Sequence, residues 1–136
     1  MSAPSADNQQ PWVFVVVADR GILDELGTRH QPAGMLREAP LAIVVCCDMD
    51  RVTWKQFWQQ DCAAATENVL LGANSLGLGA VWCGVHPTET TEAMVRGVLE
   101  IPESVVPFSL ISVGHPAEHK PPSDRYDPSR VHRNRW

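Results

Sequence analysis

The stretch from Gln60 to Pro87, QDCAAATENVLLGANSLGLGAVWCGVHP, limits most strongly what this chain can fold into. Its first half has helical character. Ala63, Ala64, Ala65, Val69, Leu70, Leu71, Ala73 and Leu76 cover most of a helix circumference, and Asp61, Glu67, Asn68 and Asn74 are the few polar exceptions. A helix so apolar is buried in a core or lies between subunits. Gly77 ends it, because glycine adopts the left-handed conformation that follows a last helical turn. After Gly77-Leu78-Gly79 comes the apolar run Ala80 to Val85, with Gly84 inside it. Those glycines leave backbone bare where a flat or bulky group can approach.

Gly77-x-Gly79-x-x-Trp82 is one glycine short of a dinucleotide-binding fingerprint. That fingerprint runs strand, glycines, helix, so that a pyrophosphate meets a helix N-terminus. Here the order is helix, glycines, strand, and a Rossmann reading is excluded.

A length of 136 residues suits one domain with its own core. The net charge of −5 argues against a nucleic-acid partner. No apolar run has transmembrane length, and the opening MSAPSADNQQPW lacks the basic-then-apolar plan of a secretory signal. Cys46, Cys47, Cys62 and Cys83 form no CxxC pair, and no Cys/His spacing suits zinc. Packed, reduced thiols fit a cytoplasmic protein best, the spacing predicts no metal, and the run lengths predict no membrane partner.

Elsewhere the pattern predicts strands at Trp12 to Val17, Leu41 to Cys47 and Val105 to Val113, the last interrupted at Pro107. It predicts a helix over residues 20–29 capped by Asp19, a short helical piece at Met35 to Glu38, and a helix from Thr88 to about Leu99. Thr53-Trp54-Lys55-Gln56 has capping-box spacing, which would start the central helix there. Strands alternating with helices suggest a layered α/β domain. The strands are apolar without alternation, so both faces of the sheet should be covered. Strand order is not legible, and from His115 onward the chain is Pro-rich and basic with no clear period.

No nucleophile–base set stands out by spacing. His30, His86, His115, His119 and His132 fall in loops or tails, where solvated histidine is the ordinary reading and general acid–base work the sharper one. Cys83 is a small buried residue or a reactive thiol. Asp61 and Glu67 suit a helix surface or an interface. A bare-backbone approach site without a nucleophile suggests that a cofactor carries the chemistry.

Three segments resemble the FMN-dependent nitroreductases. They are Pro4-Ser5-Ala6-Asp7-Asn8-Gln9-Gln10-Pro11-Trp12; Gln60 to Ala65 with Leu76 to Gly84; and the tail Lys120-Pro121-Pro122-Ser123-Asp124-Arg125-Tyr126-Asp127-Pro128 with Val131 to Trp136. The resemblance covers nearly the whole chain. It implies an α+β fold, a mixed sheet flanked by helices in three layers, formed by residues 1–136 as a single domain with an extended tail at 115–136. It also implies an intertwined homodimer with FMN at the subunit interface. Hydride would pass from NADH or NADPH to flavin and then to a small-molecule acceptor such as a nitroaromatic or quinone.

The resemblance implies that Pro4, Ser5 and Asn8 line the flavin from the partner subunit. Trp82, Cys83 and Gly84 match the segment beside the isoalloxazine ring, addressed by backbone N–H. Arg125 matches a basic position that pairs with the FMN phosphate, a task suited to a guanidinium fork. The family often has Lys where this chain has Ser123. No side chain is implied as catalytic, because flavin carries the hydride. Relative to the family the chain is expected to lack a first segment bearing an Arg-x-Ser-x-Arg motif, with Met1 matching an internal methionine. The competing expectation is therefore a truncated scaffold with weak or no flavin binding. A specialised relative with another acceptor is the rival among enzymes. Trp54, Phe57 and Trp58 suit either an acceptor pocket or a dimer core.

Overall fold

The computed structural model describes residues 1–118, 121 and 123–136. His119, Lys120 and Pro122, part of the third segment above, lie outside the described residues. In chain order the elements are β1 (Trp12–Val17), α1 (Arg20–Arg29), β2 (Leu41–Asp48), α2 (Trp58–Ser75), β3 (Gly79–Gly84), α3 (Glu89–Leu99) and β4 (Val105–Gly114). A 3-10 stretch, Gln31–Arg37, follows α1 where the short helical piece was expected.

The four strands form one sheet in the order β1-β2-β4-β3, antiparallel at every pairing. The fold is α+β, so the layered α/β class suggested by element alternation alone is corrected. Helices lie between strands, but α1 and α3 each connect antiparallel neighbours, while α2 carries the chain from β2 past the position of β4 to β3. Successive residues of a strand point to opposite faces, and β2 shows the consequence at adjacent cysteines. Cys46 packs with Leu23, Leu26, Leu36, Val95 and Leu110 on the face covered by α1 and α3. Cys47 packs with Trp58, Cys62, Ala65 and Ile111 on the face covered by α2. This three-layer arrangement is the reason β2 and β4 are apolar without alternation. Each fully buried Leu or Val side chain contributes roughly 1.5–3 kcal/mol.

Local signals set the element ends. Asp19 accepts from Ile22 N–H at 3.0 Å and caps α1. Gly77, at φ +73°, makes the left-handed turn after α2. The expected cap at Thr53 does not form, and α2 begins at Trp58. Instead, the N–H groups of Thr53 and Trp54 both donate to Gln9 Oε1 at 2.9 Å.

Pro107 shapes the sheet next to the site. Proline has no N–H to give the ladder. The β2–β4 register shifts between Val45 and Cys46, so that Val45 pairs with Ser109 and Cys46 with Pro107. Phe108 is skipped. Its carbonyl instead accepts from Val85 N–H at 3.3 Å and His86 N–H at 3.0 Å. The residue skipped in the pairing with β2 thus anchors, on the other side of β4, the chain just beyond β3.

Candidate functional site

β3 is an edge strand, so one side of its backbone has no sheet partner among the described residues. Hydrogen-bonded and non-hydrogen-bonded pairs alternate along an antiparallel ladder. With Val85 N–H donating to Phe108, alternation turns the N–H groups of Gly84 and Trp82 toward the free edge. Cys83 faces the α1/α3 core and is 2% exposed, whereas Trp82 is 38% exposed and Gly84 is exposed.

Around Gly84 the side chains leave a notch. The Trp82 ring lies 5.9 Å from Phe108, and the His86 ring stacks on Phe108 at 6.1 Å. Trp58 meets His86 edge-on at 4.7 Å. A Cβ built on Gly84 meets no atom within 4 Å. Neither intrachain packing nor a left-handed φ demands glycine here. The bare position faces open space, which is what a close-approaching planar ligand needs.

Ser5 and Asn8 belong to a tight turn in which Asp7, Asn8 and Gln10 all have left-handed φ, at +47°, +55° and +46°. Such conformations cost non-glycine residues roughly 1–2 kcal/mol each. Anchors on other elements hold the turn. Asp61, 4% exposed in the first turn of α2, accepts from Ala6 N–H at 2.9 Å and from Gln9 Nε2 at 2.6 Å. Of the two expectations for Asp61, helix surface or interface, the surface one is corrected: it is a buried carboxylate whose two oxygens each receive a donor. Glu67 is exposed.

Within the turn, Ser5 Oγ accepts from Gln10 N–H at 3.0 Å, and Asn8 Oδ1 accepts from Gln10 Nε2 at 2.9 Å. Each of these oxygens receives one donor, and the Ser5 hydroxyl proton and the Asn8 amide N–H groups remain as donors for a ligand. Pro4 is exposed beside them. The turn and the notch meet the same end of α2, since Asp61 and Trp58 lie three residues apart on that helix. Arg125 is exposed in the tail, with no hydrogen bond or ion pair to another described residue. No hydrogen bond joins it to Ser5, Asn8 or residues 82–84. Nearby, Ser129 hydroxyl and N–H donate to Asp127 and hold its carboxyl below the usual range.

The neutral thiol form is favoured at Cys46, Cys62 and Cys83. Burial pushes the Cys46 thiol up to about 12 and raises Cys83 as well. Cys83 Sγ donates to Pro32 O at 3.2 Å. The Cys62 thiol is raised by its Cys47 neighbour and by burial. No group of three or more metal-binding side chains occurs among the described residues. A groove of about 930 Å³ beside Met35, Pro40, Val81 and His115 lies at the opposite end of β3 and includes none of the seven expected site residues.

Two histidines depart from the solvated-loop expectation. His30 is buried, with Nε2 lacking a hydrogen bond. His86 Nδ1 lies 2.8 Å from Glu92 Oε1, with both side chains 21% exposed. The His86-Pro87-Thr88 cap with Glu92 one turn into α3 was the available signal, and helical spacing alone does not reveal a pairing that spans a loop.

A sequence profile described as "Nitroreductase family" matches residues 28–115. A protein of Methanothermobacter thermautotrophicus named "Putative NADH dehydrogenase/NAD(P)H nitroreductase" is 46% identical over 136 residues, covering 100% of this chain and 71% of that protein. The crystal structure of a "Putative NADH Oxidase" from Clostridium acetobutylicum superposes with a TM-score of 0.95 at 42% identity, over 100% of this chain and 82% of that one. An "FMN-dependent Nitroreductase" from Clostridium difficile R20291 superposes with a TM-score of 0.88 at 28% identity, over 99% and 82%.

Proposed function

The chain belongs to the nitroreductase family, and from that premise we propose that it works as a homodimer, passing reducing equivalents from NADH or NADPH through FMN to a quinone or nitroaromatic in the cytoplasm. It is an NAD(P)H-dependent oxidoreductase, with FMN as its cofactor. The observation that carries the finer reading is Gly84, bare on an edge strand between Trp82 and His86 with open space where a Cβ would stand. The residues present fit the group. The free-edge N–H groups of Trp82 and Gly84 suit the polar rim of a flavin ring. The donors of Ser5 and Asn8 suit its carbonyl and ribityl oxygens, and the Arg125 guanidinium suits its phosphate. When bound, FMN supplies a reversible two-electron centre that accepts and donates hydride. The chain's task is to seat it, orient one ring face and leave room for the acceptor.

The homodimer is supported by what one copy leaves uncovered. Leu71 near the end of α2 and Leu76 just beyond it are 58% and 77% exposed, with Gly72 also exposed, apolar surface that a second copy would bury. The resemblance implies that pairing would bring Ser5 and Asn8 of one copy to the notch of the other.

The test is direct. The purified chain is titrated with FMN while the visible spectrum and sedimentation are recorded, and NADH or NADPH oxidation is then followed with a quinone and with a nitroaromatic. Flavin binding, a dimer and acceptor-dependent oxidation are expected. A colourless monomer that leaves NAD(P)H unconsumed refutes the reading.

A further inference from the structure

We propose that His86 delivers the proton that completes acceptor reduction and that Glu92 is its positioning residue. This rests on the flavin-dependent reading above and adds a residue that the sequence resemblance does not assign. His86 lies two residues beyond Gly84, and its main chain is fixed by the bond to Phe108 O at 3.0 Å. Its ring is held on three sides. Trp58 meets it edge-on at 4.7 Å, and Phe108 stacks at 6.1 Å. Glu92 on α3 takes Nδ1 at 2.8 Å. The elements packed on the ring therefore bring two uncharged aromatics and one carboxylate. With Nδ1–H committed to Glu92, Nε2 is the working atom, and it makes no hydrogen bond to another described residue. The pair is 21% exposed at both side chains, sheltered enough to keep its geometry and open enough to meet a small molecule.

The chemistry balances. A quinone that gains a hydride, supplied ultimately by NAD(P)H, becomes a hydroquinone monoanion. Nε2–H then breaks, an O–H bond forms on the anionic oxygen, and imidazolium becomes neutral imidazole while Nδ1–H stays on Glu92. Water restores the proton. The sum is NAD(P)H, one proton and quinone giving NAD(P)+ and hydroquinone. A carboxylate–imidazole pair suits this because the carboxylate holds the ring in place and fixes which nitrogen faces the acceptor.

The test compares benzoquinone, which needs the proton, with ferricyanide, a one-electron acceptor that needs none. In FMN-loaded protein the quinone-to-ferricyanide kcat ratio should fall about 100-fold in His86→Phe, which keeps an aromatic ring against Trp58 and Phe108. It should fall about 10-fold in Glu92→Gln, and a purely structural role for Glu92 would lower both rates together and leave the ratio unmoved. A second readout avoids turnover. Calorimetric binding of 4-cyanophenol, a phenol that cannot be reduced here, should weaken about fivefold in His86→Phe through loss of one hydrogen bond. If His86→Phe does not fold, His86→Gln is measured in the same two ways. Unchanged ratios and unchanged phenol affinity overturn the proposal. Failure of wild-type protein to bind FMN, or to lose flavin colour with NAD(P)H before any acceptor is added, overturns the flavin reading instead.

Discussion

Gln9 Nε2 donates to Asp61 Oδ2 at 2.6 Å, and this bond ties the strained turn at the start of the chain to the first turn of α2. The same Gln9 side chain receives the N–H groups of Thr53 and Trp54 through Oε1, so one amide joins three segments. Asp61→Ala would leave the Ala6 N–H and the Gln9 amide without their acceptor in a largely buried place. Charge-assisted bonds of this kind contribute about 1.5–3 kcal/mol each, and the turn stores left-handed strain that they offset. We expect a loss of roughly 2–4 kcal/mol in urea unfolding and a weaker hold on FMN, since Ser5 and Asn8 are presented by that turn. A variant as stable as wild type would show that the turn holds itself.

Gly84 separates ligand need from chain need. Nothing in the chain lies within 4 Å of a Cβ there. Gly84→Ala should therefore match wild type in thermal stability or gain up to about 1 kcal/mol from reduced backbone entropy in the unfolded state. FMN affinity should fall at least about tenfold and further in Gly84→Val, because the added carbon occupies the approach path. Fluorescence quenching on flavin binding measures this. Tight binding by both variants would remove the notch from the site.

Arg125 is exposed and without a partner among the described residues, so its removal should cost the fold nothing measurable. As a phosphate anchor it contributes about 1.5–3 kcal/mol, and Arg125→Ala should raise the FMN dissociation constant about 10- to 150-fold. Riboflavin, which has no phosphate, should bind wild type and variant equally. An equal loss for both flavins would place Arg125 elsewhere in the site.

Burial of Cys46 sets a high-pH limit. Its folded thiol titrates near 12, above the ordinary value of 9.0. The unfolded chain loses that proton first, so it binds fewer protons than the native state once the pH passes 9, and stability falls with rising pH. The stabilising contribution is complete below pH 9 and declines up to about pH 12. Urea midpoints across that range should drop less in Cys46→Ala relative to its own neutral-pH value. At pH 8, a thiol-alkylating reagent should leave Cys46 and Cys62 unmodified in native protein and label them after unfolding.

Helix and strand positions were legible because they depend on a few adjacent residues. The span of α1, the stop at Gly77 and the apolar strands follow from periodicity, capping chemistry and the backbone freedom of glycine. The covering of both sheet faces was legible too, since a strand with no polar alternation has no face to turn to water. Candidate residues around Gly84 came from bare backbone beside an apolar run, together with the resemblance of three segments.

Tertiary structure alone decided the antiparallel order β1-β2-β4-β3, the burial of Asp61 and the pairing of His86 with Glu92. Asp61 has the local pattern of a surface residue, and only the return of Gln9 from 52 positions away satisfies it. His86 has the pattern of a loop residue, and only the return of β4 brings Phe108 O to its N–H. Local periodicity records which side of an element is apolar. Which distant donor meets which acceptor depends on how the whole chain closes, and a short window of sequence does not contain that information.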